Sequence, residues 1–390
     1  MDDVKRITGI LGLCLALALA LGAASCSTPL VHADSSRTLG PPEGPIEVSD
    51  FYTRLAPSGR WFDDPANGRC WTPYDVPADW RPYSDGHWID TDYGWSWASD
   101  EPWAWATEHY GRWFFDDAYG WSWVPGTDWA PAWVAWREGD DYLGWAPLPP
   151  SARWDRSNGL AFKDTGDIPS HEWCFVARSH MLDANLRLRV ASVGRNATML
   201  SRSHDATRFE VRNGRPADVG IDAARVATYV GHPLKAVAIV DVGPLARGSG
   251  HPTTGGAGFY RPAVRPMPAQ RAPALETNRP RGGGPPISQR QRDTQQRKLE
   301  SDLSAEHRRL AHDQAGELKS PAPGAARELI RQQHASEQQA FEQHATQQRR
   351  VLLQRQQNQV ARPARVKSAP RNPAPEKSRG QQPQRDPHGH

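Results

Sequence analysis

The segment at residues 86–97 has the sequence GHWIDTDYGWSW, and the segment at residues 111–123 has the sequence GRWFFDDAYGWSW. An eroded copy, GRWFDDPANGRCW, precedes them at residues 59–71. The leading tryptophans of the three segments recur at intervals of 27 and 25 residues. A repeat of this length predicts one small structural unit copied three times, with neighbouring units completing each other's hydrophobic core.

Each unit has the pattern of a β-hairpin. Strand side chains alternate between two faces, so Trp95 and Trp97 share one face while Ser96 points to the other. Aspartate-rich residues precede the second strand, and Gly94 and Gly120 supply backbone freedom at the turn exit. We therefore expect mainly β structure in this part of the chain.

Tryptophan is the main source of apolar surface in residues 58–150. Fifteen of the seventeen tryptophans lie there, beside only six Val, Ile or Leu residues. Because each indole buries on the order of 200 Å², most of them should form the core. The surplus predicts some exposed rings, and exposed indoles near carboxylates suit carbohydrate, cationic ligands or proline-rich peptides. The candidates lie in the connecting segments: Trp103, Trp105, Trp129, Trp133 and Trp136.

Three pairs of adjacent aspartates could have other uses. They are Asp63–Asp64, Asp116–Asp117 and Asp140–Asp141. Calcium binding and glycosidase-type catalysis both use paired carboxylates, but aspartates in hairpin turns commonly bond their own backbone. The sequence shows no zinc spacing, phosphate loop or Ser/His/Asp order, so we expect no catalytic residue, no metal and no cofactor.

The first residues have the features of an export signal. Lys5 and Arg6 precede an apolar stretch at residues 10–24 that is too short to anchor in a bilayer. Two cleavage sites compete, since residues 23–26 approximate a lipobox before Cys26, and residues 31–33 suit cleavage after Ala33. Lipidation at Cys26 and soluble release both place the mature chain outside the cytoplasm, in the periplasm or cell envelope.

Export determines which of the four cysteines are available to form a disulfide. Cys14 lies in the signal and Cys26 is lipidated or removed, which leaves Cys70 and Cys174 as a pair. In an oxidising compartment such a pair tends to form a disulfide. The alternative is two buried free thiols, since sequence alone does not place their Cα atoms within bridging distance.

Composition divides the rest of the chain. The predicted fold class is tryptophan-rich β-hairpin repeats, then a small α+β module, then a long disordered to helical basic tail. In the α+β module we expect strands at residues 173–176 and 207–212 and a helix from Asp222 through Val230. The predicted segments are a signal peptide (1–33), a polar linker (34–57), the hairpin repeats (58–150), the α+β module (151–245), a Gly/Pro/Arg-rich disordered linker (246–287) and a Gln/Arg-rich tail (288–390).

Charge is distributed unevenly along the chain, although the formal net charge is +3. Residues 58–150 hold 16 acidic residues, 5 arginines and no lysine, whereas residues 247–390 hold 25 basic and 12 acidic residues. We expect the tail to form isolated charged helices without a stable coiled coil, because its apolar positions are sparse. Its histidines, which are expected to be solvated, are His307, His312, His334 and His344.

Residues 80–150 resemble a family of exported bacterial proteins with tryptophan-rich YxWxW-type repeats, classed as a domain of unknown function. The likeness rests on the twice-used Tyr-Gly-Trp-Ser-Trp core, the step at residues 108–113 and the ending YLGWAPLPP at residues 142–150, and it extends to about Val242. It implies an envelope protein and carries over no catalytic residue. The first repeat departs from the pattern, with Arg69–Cys70 where later copies have Trp-Ser, as expected of a terminal unit.

These observations predict a non-enzymatic, exported envelope protein that binds a glycan or a protein partner through its tryptophans. The expected partners are an envelope polysaccharide, peptidoglycan or another protein. Contact with a membrane is expected only through a lipid anchor, and no specific nucleic acid is expected. The alternative is a structural or assembly protein whose basic tail contacts anionic polymers, and a carboxylate-pair hydrolase is a third, weaker hypothesis.

Overall fold

The computed structural model describes residues 43–74, 76–77, 79–244, 248–267, 288–319 and 324–360. For residues 358–360 only the backbone is described. The strands are, in chain order, β1 (Ile46–Glu47), β2 (Gly59–Asp64), β3 (Gly68–Pro73), β4 (His87–Thr91), β5 (Gly94–Ala98), β6 (Arg112–Asp116), β7 (Gly120–Val124), β8 (Val134–Gly139), β9 (Tyr142–Pro147), β10 (Arg153–Asp155), β11 (Gly159–Ala161), β12 (Cys174–Ala177), β13 (Ser203–Asp205), β14 (Phe209–Arg212), β15 (Arg215–Asp218), β16 (Ile239–Asp241), β17 (His251–Thr253), β18 (Gly256–Phe259) and β19 (Val264–Arg265).

The α-helices are α1 (Val48–Leu55), α2 (Ala104–Thr107), α3 (Asn196–Ser201), α4 (Ala223–Val230), α5 (Gln289–Lys319) and α6 (Gly324–Val360). Among the residues described, no helix combines the length and the apolar sequence that crossing a membrane requires. We call residues 43–267 the β body and the pair α5–α6 the helical arm.

The predicted hairpins are present, and a fourth joins them. Within the described ranges, four hairpins each place one tryptophan directly opposite another on the paired strand. The pairs are Trp61–Trp71 on β2–β3, Trp88–Trp97 on β4–β5, Trp113–Trp123 on β6–β7 and Trp136–Trp145 on β8–β9. The fourth hairpin lacks the Tyr-Gly-Trp-Ser-Trp core, which is why the repeat pattern did not predict it.

Neighbouring hairpins in sequence do not pair with each other. The first and third lie in one four-stranded sheet with the order β2-β3-β7-β6, joined where Trp71 lies opposite Trp123. The second lies in another sheet with the order β14-β15-β5-β4, and the fourth in a sheet with the order β12-β9-β8-β13. The repeats therefore share one apolar cluster, as predicted, but each hairpin pairs its strands with segments that are not adjacent to it in the repeat.

The predicted segments 58–150 and 151–245 do not form separate modules. Strands β12, β13 and β15 extend the sheets of the tryptophan hairpins, and one apolar cluster extends from Ile46 to Tyr260. The supposed linkers also contribute to this core. Phe51 on α1 and Phe259 on β18 are both 0 % exposed, in segments predicted to be a polar linker and a disordered linker. The rest of the second linker, residues 268–287, lies outside the described residues.

Several local predictions in the α+β segment are confirmed. Helix α4 begins after Asp222, whose Oδ1 accepts a hydrogen bond from the Arg225 N–H at 3.0 Å, and ends at Gly231 with a φ of 79°. The Asn-Gly turn joins β14 to β15, with positive φ at both Asn213 and Gly214. The hydrogen bonds of turns and helix caps form between residues that are close in sequence, so these elements can be predicted from the sequence.

The helical arm differs from its prediction. Helices α5 and α6 run antiparallel and share a small apolar core formed by Leu299, Leu303, Leu310, Phe341 and Ala345. The helices are therefore not isolated, and they pack together against the β body. Residues 361–390 lie outside the described residues.

Candidate functional site

Four of the five tryptophans predicted to be exposed are buried. The exposed fractions are 6 % for Trp105, 4 % for Trp129, 1 % for Trp133 and 0 % for Trp136, while Trp103 is half-buried. The prediction of an exposed aromatic surface is wrong for those four, because Trp136 lies on β8 opposite Trp145 and the other three rings pack into apolar clusters of the β body. Of all seventeen tryptophans, only Trp61, Trp103 and Trp154 are not fully buried.

The buried indoles also tie distant parts of the chain together through their N–H groups. Indole Nε1 atoms donate to backbone oxygens as follows: Trp71 to Leu55 (3.1 Å), Trp95 to Ile221 (2.7 Å), Trp123 to Tyr110 (2.6 Å), Trp133 to His109 (3.1 Å) and Trp145 to Tyr83 (2.8 Å). A buried N–H without a partner is costly, so these bonds select one arrangement of the sheets. They indicate a structural use of the indoles.

Two buried carboxyl groups lie next to each other in this tryptophan core. Glu108 on the loop after α2 is 0 % exposed, and Glu101 accepts a hydrogen bond from the Trp80 indole at 2.6 Å. Burial raises the pKa of Glu108 to about 8. Burial, with the neighbouring Glu108, also raises the pKa of Glu101. The pair therefore retains at least one proton at neutral pH, which reduces the negative charge inside the core.

Buried acids give the stability of the protein a distinct dependence on pH. Burial raises the pKa of Glu108, Glu172 and Asp218 to about 8 in each case. As the pH rises above the ordinary histidine pKa of 6.5, histidines in the unfolded state also become mostly neutral, so the acids dominate. Between pH 6.5 and 8 the three acids are protonated in the folded state and ionised in the unfolded state. The free energy of unfolding should therefore fall as the pH rises.

Glu172 offers the simplest test, because burial is the cause of its raised pKa. Each group that keeps its proton contributes a slope of about 1.4 kcal/mol per pH unit. Urea unfolding from pH 6.5 to 8 should show the decline in the native sequence, and Glu172→Gln should make it shallower by about that slope. A native protein equally stable across this range would contradict the expectation.

The paired aspartates are turn residues, as the more common explanation held. Oδ1 of Asp64 and Oδ1 of Asp116 each accept hydrogen bonds from the backbone N–H groups two and three residues later, at 2.7–3.0 Å. Asp140 and Asp141 are exposed at the tip of the β8–β9 hairpin. No group of three or more His, Cys, Asp or Glu side chains suited to a metal occurs in the part of the chain that the structure describes.

Of the two alternatives for Cys70 and Cys174, the structure has the second, without a disulfide. Both side chains are buried free thiols, on β3 and β12 of two different sheets. Burial raises the pKa of Cys70 to about 12, so this thiol is unreactive at neutral pH. Cys26, the predicted lipidation site, lies outside the described residues.

The helical arm docks on the β body through polar contacts at both ends of the interface. Glu306 on α5 is 3 % exposed, and its Oε1 accepts hydrogen bonds from the Val193 N–H at 2.9 Å and the Ser192 hydroxyl at 3.2 Å. Near the end of α6, the guanidinium of Arg355 donates to the carbonyl oxygen of Tyr119 at 2.6 and 2.9 Å. The arm thereby covers the turn of the β6–β7 hairpin.

A groove of about 570 Å³ lies where α6 passes over the β body. His171 from the body and His344 from α6 both line it. Burial lowers the pKa of His171 and lowers that of His344 to about 3.

The prediction of solvated tail histidines is wrong for His334 and His344, each 8 % exposed, and right for His307 and His312. The sequence signal was weak, since glutamine and histidine on α6 gave no apolar periodicity.

The outer surface of the helical arm is cationic. Among its described charged residues, nine basic and three acidic side chains are exposed. The basic ones are Arg290, Arg297, Lys298, Arg308, Lys319, Arg327, Arg331, Arg349 and Arg350, and the acidic ones are Glu300, Glu328 and Glu342. Most of the other acidic side chains of the arm face the β body or the neighbouring helix, as Glu306, Glu317 and Glu337 do. The solvent-facing side thus offers a positive surface to a partner.

Comparison with known proteins gives one local similarity. No curated protein and no solved structure matches the chain. One family model matches a region that contains all four tryptophan hairpins, from within helix α1 to the residue before β10. Residues 52–152 match the model of a family described as "Family of unknown function (DUF6600)".

Proposed function

We propose that this protein is a non-enzymatic, exported envelope protein in which a tryptophan-cored β body holds a cationic helical arm against anionic envelope polymers. The nine-to-three excess of exposed basic over acidic side chains on the arm is the observation that carries the proposal. Export rests on the signal-like pattern of residues 1–33, and the lipid anchor on Cys26. The resemblance to exported tryptophan-repeat proteins supports the same location.

The sequence on either side of the arm adds to its positive charge. Residues 268–287 hold three arginines and one acidic residue, and residues 361–390 hold seven basic and two acidic residues. A cationic surface that binds a polyanion displaces condensed counterions, so its affinity falls steeply with salt and depends little on polymer sequence. Binding of this kind needs no pocket and no cofactor.

The two other hypotheses have less support in the structure. Glycan recognition by tryptophan faces requires exposed rings, and Trp105, Trp129, Trp133 and Trp136 are buried. Hydrolysis by a carboxyl pair was predicted from the paired aspartates, and Asp64 and Asp116 use their carboxylates to accept hydrogen bonds from the backbone of their own turns. The assembly hypothesis, with the interaction assigned to the arm and tail, is therefore the one we favour.

The test uses the full chain and two immobilised polymers, dextran sulfate and uncharged dextran. We expect salt-dependent binding to dextran sulfate only. A variant with glutamine at Arg290, Arg297, Arg308 and Arg327 should bind more weakly, with a shallower dependence of the logarithm of affinity on the logarithm of salt concentration. These four side chains are exposed, so the variant should fold normally.

Lysine at the same four positions is the matched control, because it keeps the charge and should keep most of the binding. Equal binding by the glutamine variant and the native chain would remove the arm from the proposal. A further variant, with glutamine at all seven basic positions of residues 361–390, would then show whether the tail alone accounts for the binding. A native chain that does not bind dextran sulfate would contradict the proposal as a whole.

A further inference from the structure

The groove between α6 and the β body has the size and lining of a ligand site. Its volume of about 570 Å³ is within the range of small-molecule pockets, which runs from about 300 to 1,000 Å³. The body contributes Ser170 and His171, from the one-turn 3-10 helix that precedes β12. Helix α6 contributes Gln339, Gln343 and His344.

The two histidines at this groove lack hydrogen-bond partners at one ring nitrogen each. His344 is 8 % exposed, with an unpartnered Nδ1, and the Nε2 of His171 is likewise buried and unpartnered. At neutral pH both rings are uncharged, because burial opposes their protonation. A neutral imidazole has one donor and one acceptor nitrogen, so the free nitrogen of each ring either donates or accepts one hydrogen bond, according to the tautomer.

Helix α6 adds a row of amide side chains along the same groove. Gln339, Gln343 and Gln347 are spaced four residues apart and so lie on one face of the helix. Each amide carries a donor NH₂ and an acceptor oxygen. Of the three, Gln347 already donates to the Asp117 carboxylate at 3.4 Å, while Gln339 and Gln343 are exposed.

The charges and geometry exclude several classes of ligand. Asp117 and Glu342 line the groove with only Arg350 to balance them, which disfavours an anion. The described residues form no group suited to a metal, and ten of the twelve residues that line the groove carry polar or charged side chains, which disfavours a purely apolar ligand. Groups that both donate and accept, spaced along a groove, complement the hydroxyl groups of a sugar chain.

We propose that this groove binds a neutral, hydroxyl-rich ligand, namely a segment of oligosaccharide. The site uses amides and neutral imidazoles, so it is separate from the cationic surface of the arm and does not rest on polyanion binding. Because the ligand is uncharged, its affinity should change little with salt concentration. The groove is formed by the arm and the body together, so the ligand would also hold the arm in place.

The experiment measures binding of two defined probes, cellotetraose and chitotetraose, to the full chain by isothermal titration calorimetry. We expect at least one probe to bind. The double substitution Gln339→Ala with Gln343→Ala should weaken that binding about tenfold or more, the effect of losing roughly one good hydrogen bond. Both side chains are exposed and make no contact that holds the arm, so circular dichroism should show a normally folded variant.

Gln332→Ala supplies the matched control, since Gln332 is an exposed glutamine on the same helix that does not line the groove. It should bind the probe like the native chain. The proposal is overturned if neither probe binds, if the double variant binds as tightly as the native chain, or if Gln332→Ala weakens binding equally. Binding to dextran sulfate should persist in the double variant, which separates failure at the groove from failure at the arm.

Discussion

We expect Trp123→Ala to lower the free energy of unfolding by about 3–5 kcal/mol, which is a large share of the stability of a typical protein. Trp123 is 0 % exposed on β7, and its ring centroid lies 5.3 Å from that of Phe51. Its indole N–H donates to the carbonyl oxygen of Tyr110 at 2.6 Å. Alanine would leave a large cavity and an unpaired buried carbonyl in the same place.

Urea unfolding, followed by circular dichroism, measures this effect. Trp61→Ala is the matched control, because Trp61 belongs to a cross-strand pair of the same sheet but is only half-buried. Its substitution should cost less than half as much. If the two variants unfolded at the same urea concentration, burial of the indole would not be the main source of stability in this sheet.

The second large effect concerns where the β body ends. We expect a chain that ends at residue 246 to lose cooperative folding, although the sequence alone placed the end of the folded region there. The missing strand β18 holds Phe259 and Ala257 in the core, and Tyr260 follows it at 2 % exposure. Removing a buried aromatic side chain typically costs about 3–5 kcal/mol, so losing two approaches the whole stability of the fold.

A chain that ends at residue 287 is the comparison, since it keeps β17–β19 and removes only the helical arm with its tail. It should still unfold cooperatively, at a lower denaturant concentration than the full chain. Phe259→Ala in the full chain should reproduce part of the first loss, by about 3–5 kcal/mol. A folded, cooperatively melting chain 1–246 would show that residues 248–267 pack on the body without stabilising it.

The tryptophan hairpins are the part of the fold that the local sequence pattern predicts. Strand alternation predicts that Trp95 and Trp97 share one face, and most indoles are expected in the core; both are buried, at 1 % and 0 % exposure. The aspartate turns at Asp64 and Asp116 were also predicted, because an aspartate bonds its own backbone within three residues. These features depend on neighbours in sequence, so the sequence displays them directly.

The candidate groove could not be predicted from the local sequence pattern. His344 lies in a polar helix with no apolar periodicity, and nothing near it in sequence indicates burial. It is buried because α6 packs against the β body, where His344 lines the same groove as His171, which lies 173 residues earlier in the chain. A site assembled from two distant elements has no local signal, so only their packing reveals it.

Sequence by itself determined the tryptophan hairpins, the aspartate turns, helix α4 with its cap and stop, and the cationic character of the arm. Tertiary structure decided that the first and third hairpins share a sheet, that Trp129 and Trp133 are core residues, and that Cys70 and Cys174 are apart. The reason is physical. Turn and cap chemistry is satisfied within a few residues, whereas a strand edge or an apolar face is satisfied by whichever distant segment covers it.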